Sequence, residues 1–179
     1  MKFLRTKSVI AVFATIDLKQ ATVTFSDGTG IPVTLELVLG EGNVTYTEAK
    51  TMEYRLNRGN LNTVREGDQV PIDVSFDMEW EYYYGGDHSG ATGTPIDFLK
   101  KVGPYAANVS SDTDSCNPYS VDLVIVYAPT CSGSGLTYTD ETITLADFRY
   151  EQLTFDLSAG TISCTGKCNT TAAVGVRST

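Results

Sequence analysis

From Val70 to Tyr84 every even-numbered residue is apolar: Val70, Ile72, Val74, Phe76, Met78, Trp80, Tyr82 and Tyr84. A period of two belongs to a β-strand and not to a helix. The odd positions include Asp73, Ser75, Asp77, Glu79, Glu81 and Tyr83, so one face is built for a core and the other is a row of carboxylates. At about 3.3 Å per residue the run would reach about 50 Å, against about 20 Å for an ordinary strand. That is longer than a lone small sandwich needs. Carboxylates two apart on a strand face lie about 7 Å from each other, inside the Debye length of about 8 Å at physiological salt, so the row repels itself. It reads either as a solvated sheet face with edge-protecting charge or as a surface that must repel an anion.

The chain has 179 residues, enough for one domain spanning residues 1–179 with a core that needs neither disulfide nor metal. Its 22 acidic and 13 basic residues give a net charge of −9, which excludes tight wrapping around nucleic-acid phosphates. Near the N-terminus, Lys2, Arg5 and Lys7 precede the apolar run Val9 to Ala14 in the manner of a signal peptide. The run is short, Thr15 and Asp17 interrupt it, and no clean small-x-small cleavage site follows, so it reads as a retained first strand. No stretch approaches the 18 or so apolar residues of a membrane helix, and a soluble protein with no membrane partner is expected.

Alternation recurs in Ala21 to Phe25, Val33 to Leu39, Val44 to Tyr46, Val121 to Tyr127, Thr142 to Leu145 and Gln152 to Leu157. Turn chemistry separates these runs at Ser26-Asp27-Gly28, Gly40-Glu41-Gly42-Asn43, Gly85-Gly86-Asp87 and Ser158-Ala159-Gly160. The fold class that follows is all-β: an antiparallel sandwich or small barrel with one short flanking helix and a long hairpin. The helix is expected over residues 95–102, with Thr94 as N-cap, Pro95 at the first helical position, Asp97 in the first turn and Lys100, Lys101 and Gly103 at the end. Glu48 to Leu56 is expected as a strand pairing with the long one. The polar segment 57–69, containing Arg58, Arg65, Glu66 and Asp68, is expected as an extended loop, and 85–94 as a glycine-rich one.

Four cysteines, Cys116, Cys131, Cys164 and Cys168, are expected as reduced thiols, because the strand-like run 119–127 separates the first two. Cys164 and Cys168 could meet only across a tight turn at Thr165 to Lys167. A bridge or metal at that pair stays as the alternative, whereas Cys116 and Cys131 are spaced too far apart for a tetrahedral zinc site. Asp112-Thr113-Asp114 starts like a calcium loop, but Asn117 stands where its turn glycine belongs and Leu123 where its final acid belongs. No metal or other cofactor is expected.

His88 is the sole histidine, and its neighbours Asp87 and Ser89 do not make a triad, since consecutive loop residues point apart. Asp77, Glu79 and Glu81 approach glycosidase carboxylate separations. The nearby aromatics Trp80, Tyr82 and Tyr84 fall on the other strand face, however, and only Tyr83 shares theirs. No catalytic residue is assigned; a carbohydrate-active domain using Glu79 and Glu81 stays as the enzymatic alternative.

Met52-Glu53-Tyr54-Arg55-Leu56-Asn57-Arg58-Gly59, Val64-Arg65-Glu66-Gly67-Asp68 and Pro71-Ile72-Asp73-Val74-Ser75-Phe76 together resemble a tailed-bacteriophage tail tube protein. Cys116-Asn117-Pro118-Tyr119 with Val121-Asp122-Leu123, then Asp147-Phe148-Arg149-Tyr150-Glu151, Gly160-Thr161-Ile162-Ser163 and Gly166-Lys167-Cys168-Asn169, resemble the same family. The resemblance covers about two thirds of the chain. It implies hexameric rings that stack into a hollow tube in the virion, assembled in the host cytoplasm with other tail proteins, through which DNA passes without specific binding. It further implies that Asp73, Asp77, Glu79 and Glu81 line the lumen and that Arg58, Arg65, Glu66 and Asp68 sit in a ring-stacking loop. A tail terminator or baseplate ring protein is the alternative within that class.

Overall fold

The computed structural model describes residues 21–29, 34–37, 44–80, 93–127 and 141–177. Among these residues ten strands run in chain order: β1 Ala21–Ser26, β2 Thr34–Leu37, β3 Thr45–Thr47, β4 Met52–Asn57, β5 Asn60–Glu66, β6 Ile72–Glu79, β7 Val121–Tyr127, β8 Glu141–Asp156, β9 Thr161–Cys168 and β10 Val174–Arg177. Eight of them form one curled antiparallel sheet in the order β2-β1-β7-β8-β9-β6-β3, with β10 also pairing with β8. The all-β expectation holds. One face of this sheet is the core.

Alternation selects that face strand by strand. Ile72, Val74, Phe76 and Met78 of β6 are buried, as are Ile162, Cys164 and Cys168 of β9, Leu123 and Ile125 of β7, and Val23 and Phe25 of β1. Phe76 packs between Phe25 and Phe148, at centroid distances of 5.9 and 5.8 Å. Helix α1, Pro95–Lys100, closes the core by stacking Phe98 on Phe25 at 5.8 Å. Thr94 and Asp97 form a reciprocal capping box, and the helix ends earlier than the sequence suggested because Lys101 adopts left-handed backbone angles (φ 54°).

Two expectations are corrected. Residues 57–69 are not a loop: Arg58 and Gly59, at φ 51° and 83°, make a tight primed turn, and Asn60–Glu66 returns as β5. Accordingly β4 pairs with β5 and not with the long strand, which pairs with β9 and β3 instead. Thr142 to Leu145 and Gln152 to Leu157 are not separate strands either. They lie in or at the end of a single 16-residue strand, β8, which turns at a bulge where Asp147 takes a φ of 56°.

Cys164 and Cys168 lie on the straight strand β9, both facing the core, both free. With no turn between them, about 13 Å of extended chain keeps them apart. Burial pushes both thiols up to about 12, which leaves them unreactive. Cys116 is free and exposed. Cys131, His88, the glycine-rich run 85–92 and the N-terminal segment 1–20 lie outside the described residues.

Candidate assembly and channel surface

The non-core face of the sheet divides into two halves of different chemistry. On β3, β6, β9 and the second half of β8 it displays carboxylates and hydroxyls. Asp73 lies directly opposite Lys167, and their side chains form an ion pair at 3.0 Å. Ser75 lies between Thr45 and Thr165, and Asp77 accepts a hydrogen bond from the Ser163 hydroxyl. Glu79 lies opposite Thr161, which in turn faces Asp156. Glu151 joins Asp73, Lys167, Thr45, Thr47 and Thr165 around an open groove.

Five carboxylates thus share this half with one ammonium. The Lys167 pKa is raised by its hydrogen bond to Asp73, by the Asp73 charge and by Glu151, as expected for a cation among anions; Arg149, its register partner on β8, is paired with Asp112. Asp156 is held low by the hydroxyl and backbone N–H of Ser158 and by the N–H of Ala159, so it also caps the β8–β9 turn. The structure therefore brings Asp73, Asp77 and Glu79 onto one surface. It adds Glu151, Asp156 and Lys167, which alternation within one strand could not reveal because they arrive by pairing. Glu81 lies outside the described residues. Trp80 contacts Phe155 at 5.6 Å and stands on the side away from Glu79, as its odd-even position requires.

This acidic half ends in two open sheet edges. Among the described residues, β8 beyond Phe148 pairs only with β9, and the outer edge of β3 is unpaired. Exposed edges of this kind are templates for another strand.

The β4–β5 arm stands off this sheet. Its turn carries Arg58; Arg65 is ion-paired with Glu53 across the ribbon, and Glu66 lies 3.7 Å from Lys50. These pairs are exposed and contribute little to stability. Asp68 accepts the Thr51 hydroxyl through its backbone carbonyl at 2.5 Å. Two of the four residues expected to serve ring stacking, Arg65 and Glu66, therefore have partners inside the arm.

No protein-family model and no curated protein matches this sequence. Among solved structures, it matches the sheath/tube terminator of PVC, an extracellular contractile injection system, in its extended state. In fold, the chain is similar to that terminator. The match covers 93% of this chain and 99% of that one, with a TM-score of 0.51 and 12% identity. At such low identity the likeness bears on architecture alone. Among the described residues there is no cluster of metal-ligating side chains and no helix long and apolar enough to cross a membrane.

Proposed function

We propose that this protein is a structural, non-enzymatic subunit of a phage-tail-like particle, working as a ring that surrounds the channel of a tail tube. The observation that carries the reading is the pair of open edges flanking the acidic half-sheet. β3, β6, β9 and β8 alternate in direction, so an even number of strands separates one open edge from the other. The β8 edge of one copy can then add to the β3 edge of the next in antiparallel register, closing a barrel without a free edge. Six copies are expected from the family resemblance.

In such a ring the non-core face points inward. Asp73, Asp77, Glu79, Glu151 and Asp156, with Glu81 on the same alternation, would present anions to a passing duplex and keep it from adsorbing. Its partners are other copies and neighbouring tail proteins, in the virion, after assembly in the host cytoplasm.

Likeness to a sheath/tube terminator favours a second reading, a ring that caps the tube rather than repeating along it. Negative-stain electron microscopy with light scattering over a concentration series separates these. Stacked rings with an axial channel support the tube subunit, isolated rings the terminator or a baseplate ring. Monomers at every concentration would overturn both and return the carbohydrate-active alternative.

A further inference from the structure

The other half of the non-core face carries charge only at its margins, at Asp122 opposite Ser26 and at Glu36, which is in register with Thr24. Across β1, β7, β8 and β10 the register aligns Thr24–Val124–Thr144–Val174 in one row and Thr22–Val126–Thr142–Val176 in the next. All eight side chains are β-branched. The Thr24 hydroxyl turns back toward the Val124 carbonyl at 3.5 Å, and Val174 and Val176 are 57% and 59% exposed. A patch of methyl groups is thus left beside the acidic half.

The β4–β5 arm leaves a second apolar surface. Its register places Met52, Tyr54, Leu56, Leu61 and Val64 on one side of the ribbon, with Glu66 opposite Met52 at its root, and all five apolar residues are exposed, Leu61 by 74%. The opposite side carries Glu53, Arg55 and Arg65. The arm pairs with no other strand among the described residues, and an isolated two-stranded ribbon is marginal in water.

From these two surfaces we infer that the apolar side of the arm docks on the Thr/Val rows of a second copy of this chain. The inference rests on the ring-forming reading and specifies its contact. Laying a ribbon on the Thr/Val rows is sheet-on-sheet packing that leaves the carboxylates at its margins, Glu66 on the arm and Glu36 and Asp122 beside the rows, whereas docking on the acidic half would strip water from its five carboxylates. The chain's own Thr/Val rows are a poor target. The arm springs from the β3 and β6 side, and β9 and the carboxylate-bearing half of β8 lie between it and those rows.

Charge points to the same occupant. Residues 50–66 contain four cations, Lys50, Arg55, Arg58 and Arg65, against Glu53 and Glu66, a net +2 in a chain of −9. The remaining residues therefore carry −11, and a second copy attracts the arm. Arm and rows are different surfaces, so the contact is heterologous and closes into a ring or continues from one ring to the next.

The test mixes two single-cysteine variants, Leu56→Cys and Val176→Cys, each in a Cys116→Ser/Cys131→Ser background, with a short bis-maleimide cross-linker. Covalent dimer at least tenfold above either variant alone is expected. Equal self-cross-linking of Leu56→Cys would mean that arms meet arms, and overturns the inference. Efficient cross-linking of Val176→Cys to Ile10→Cys within one chain would give the rows to residues 1–20 and overturns it too. Rings in micrographs without the mixed dimer overturn the docking and leave the ring reading standing; monomeric protein at every concentration overturns both.

Discussion

Asp122 shows how a single side chain is set by what folds around it. It lies on β7 and accepts the backbone N–H of Asp147 at 3.0 Å, the residue whose left-handed backbone makes the β8 bulge. Burial raises its pKa, and the Asp147 charge adds to the rise; hydrogen bonds from Asp147 and Ser111 oppose it. A carboxyl that holds its proton more tightly when folded contributes most stability below the unfolded value of about 3.9 and loses it as pH rises through the folded value. Asp122→Asn keeps an oxygen for the Asp147 N–H without the buried charge. Its melting temperature should exceed that of the parent by a few degrees at pH 7, and the two should converge below pH 4 or so in thermal melts. Asp112 is the opposite case. The Asp114 N–H, Arg149 and Asn117 hold it down to about 2, so its contribution is present above the usual carboxylate range and is lost in acid.

At the scale of elements, the arm and the sheet obey different constraints. The sheet strands are fixed by burial: shifting β6 by one residue would expose Ile72, Val74, Phe76 and Met78 and bury Asp73, Asp77 and Glu79. The arm has no such anchor and depends on its turn. Gly59, at φ 83°, has open space around an added Cβ, so a substitution there would strain the backbone without a clash. Gly59→Val should therefore cost the ribbon about 1 kcal/mol or more. Hydrogen exchange is expected to lose protection at Leu56 to Leu61 while β6, β8 and β9 amides keep theirs. Loss of protection throughout the sheet would show that arm and sheet fold as one unit.

For the whole molecule, the division of one sheet face into an acidic half and a methyl half lets the two halves serve different partners. Asp77→Lys/Glu79→Lys changes these two positions from −2 to +2 in each copy without touching the Thr/Val rows. Assembled particles of this variant should sediment with duplex DNA at low salt and release it as salt rises, because counterion release governs such binding. Parent particles should not sediment with DNA. If the variant behaves like the parent, the acidic half does not face the channel.

Alternation by itself determined the all-β class, the buried side of β6, β1 and β7, and the acidity of the other side, because a period of two fixes which residues share a face. Capping chemistry located the helix start at Thr94, a local interaction that needs no distant partner. What only the tertiary structure decided was pairing. The residues Asn57-Arg58-Gly59-Asn60 mark a turn, yet length and polarity made 57–69 look like a loop, since among the described residues the apolar side of the ribbon stays exposed. Thr161–Cys168 alternates as cleanly as β1, but Gly166 interrupts the apolar positions. It does so for a reason visible only in three dimensions: a Cβ there would lie 2.2 Å from the Arg149 carbonyl oxygen beside the β8 bulge. The Thr/Val rows join residues more than 100 positions apart, and only hydrogen-bonded register, a non-local property of the folded chain, brings them onto one surface.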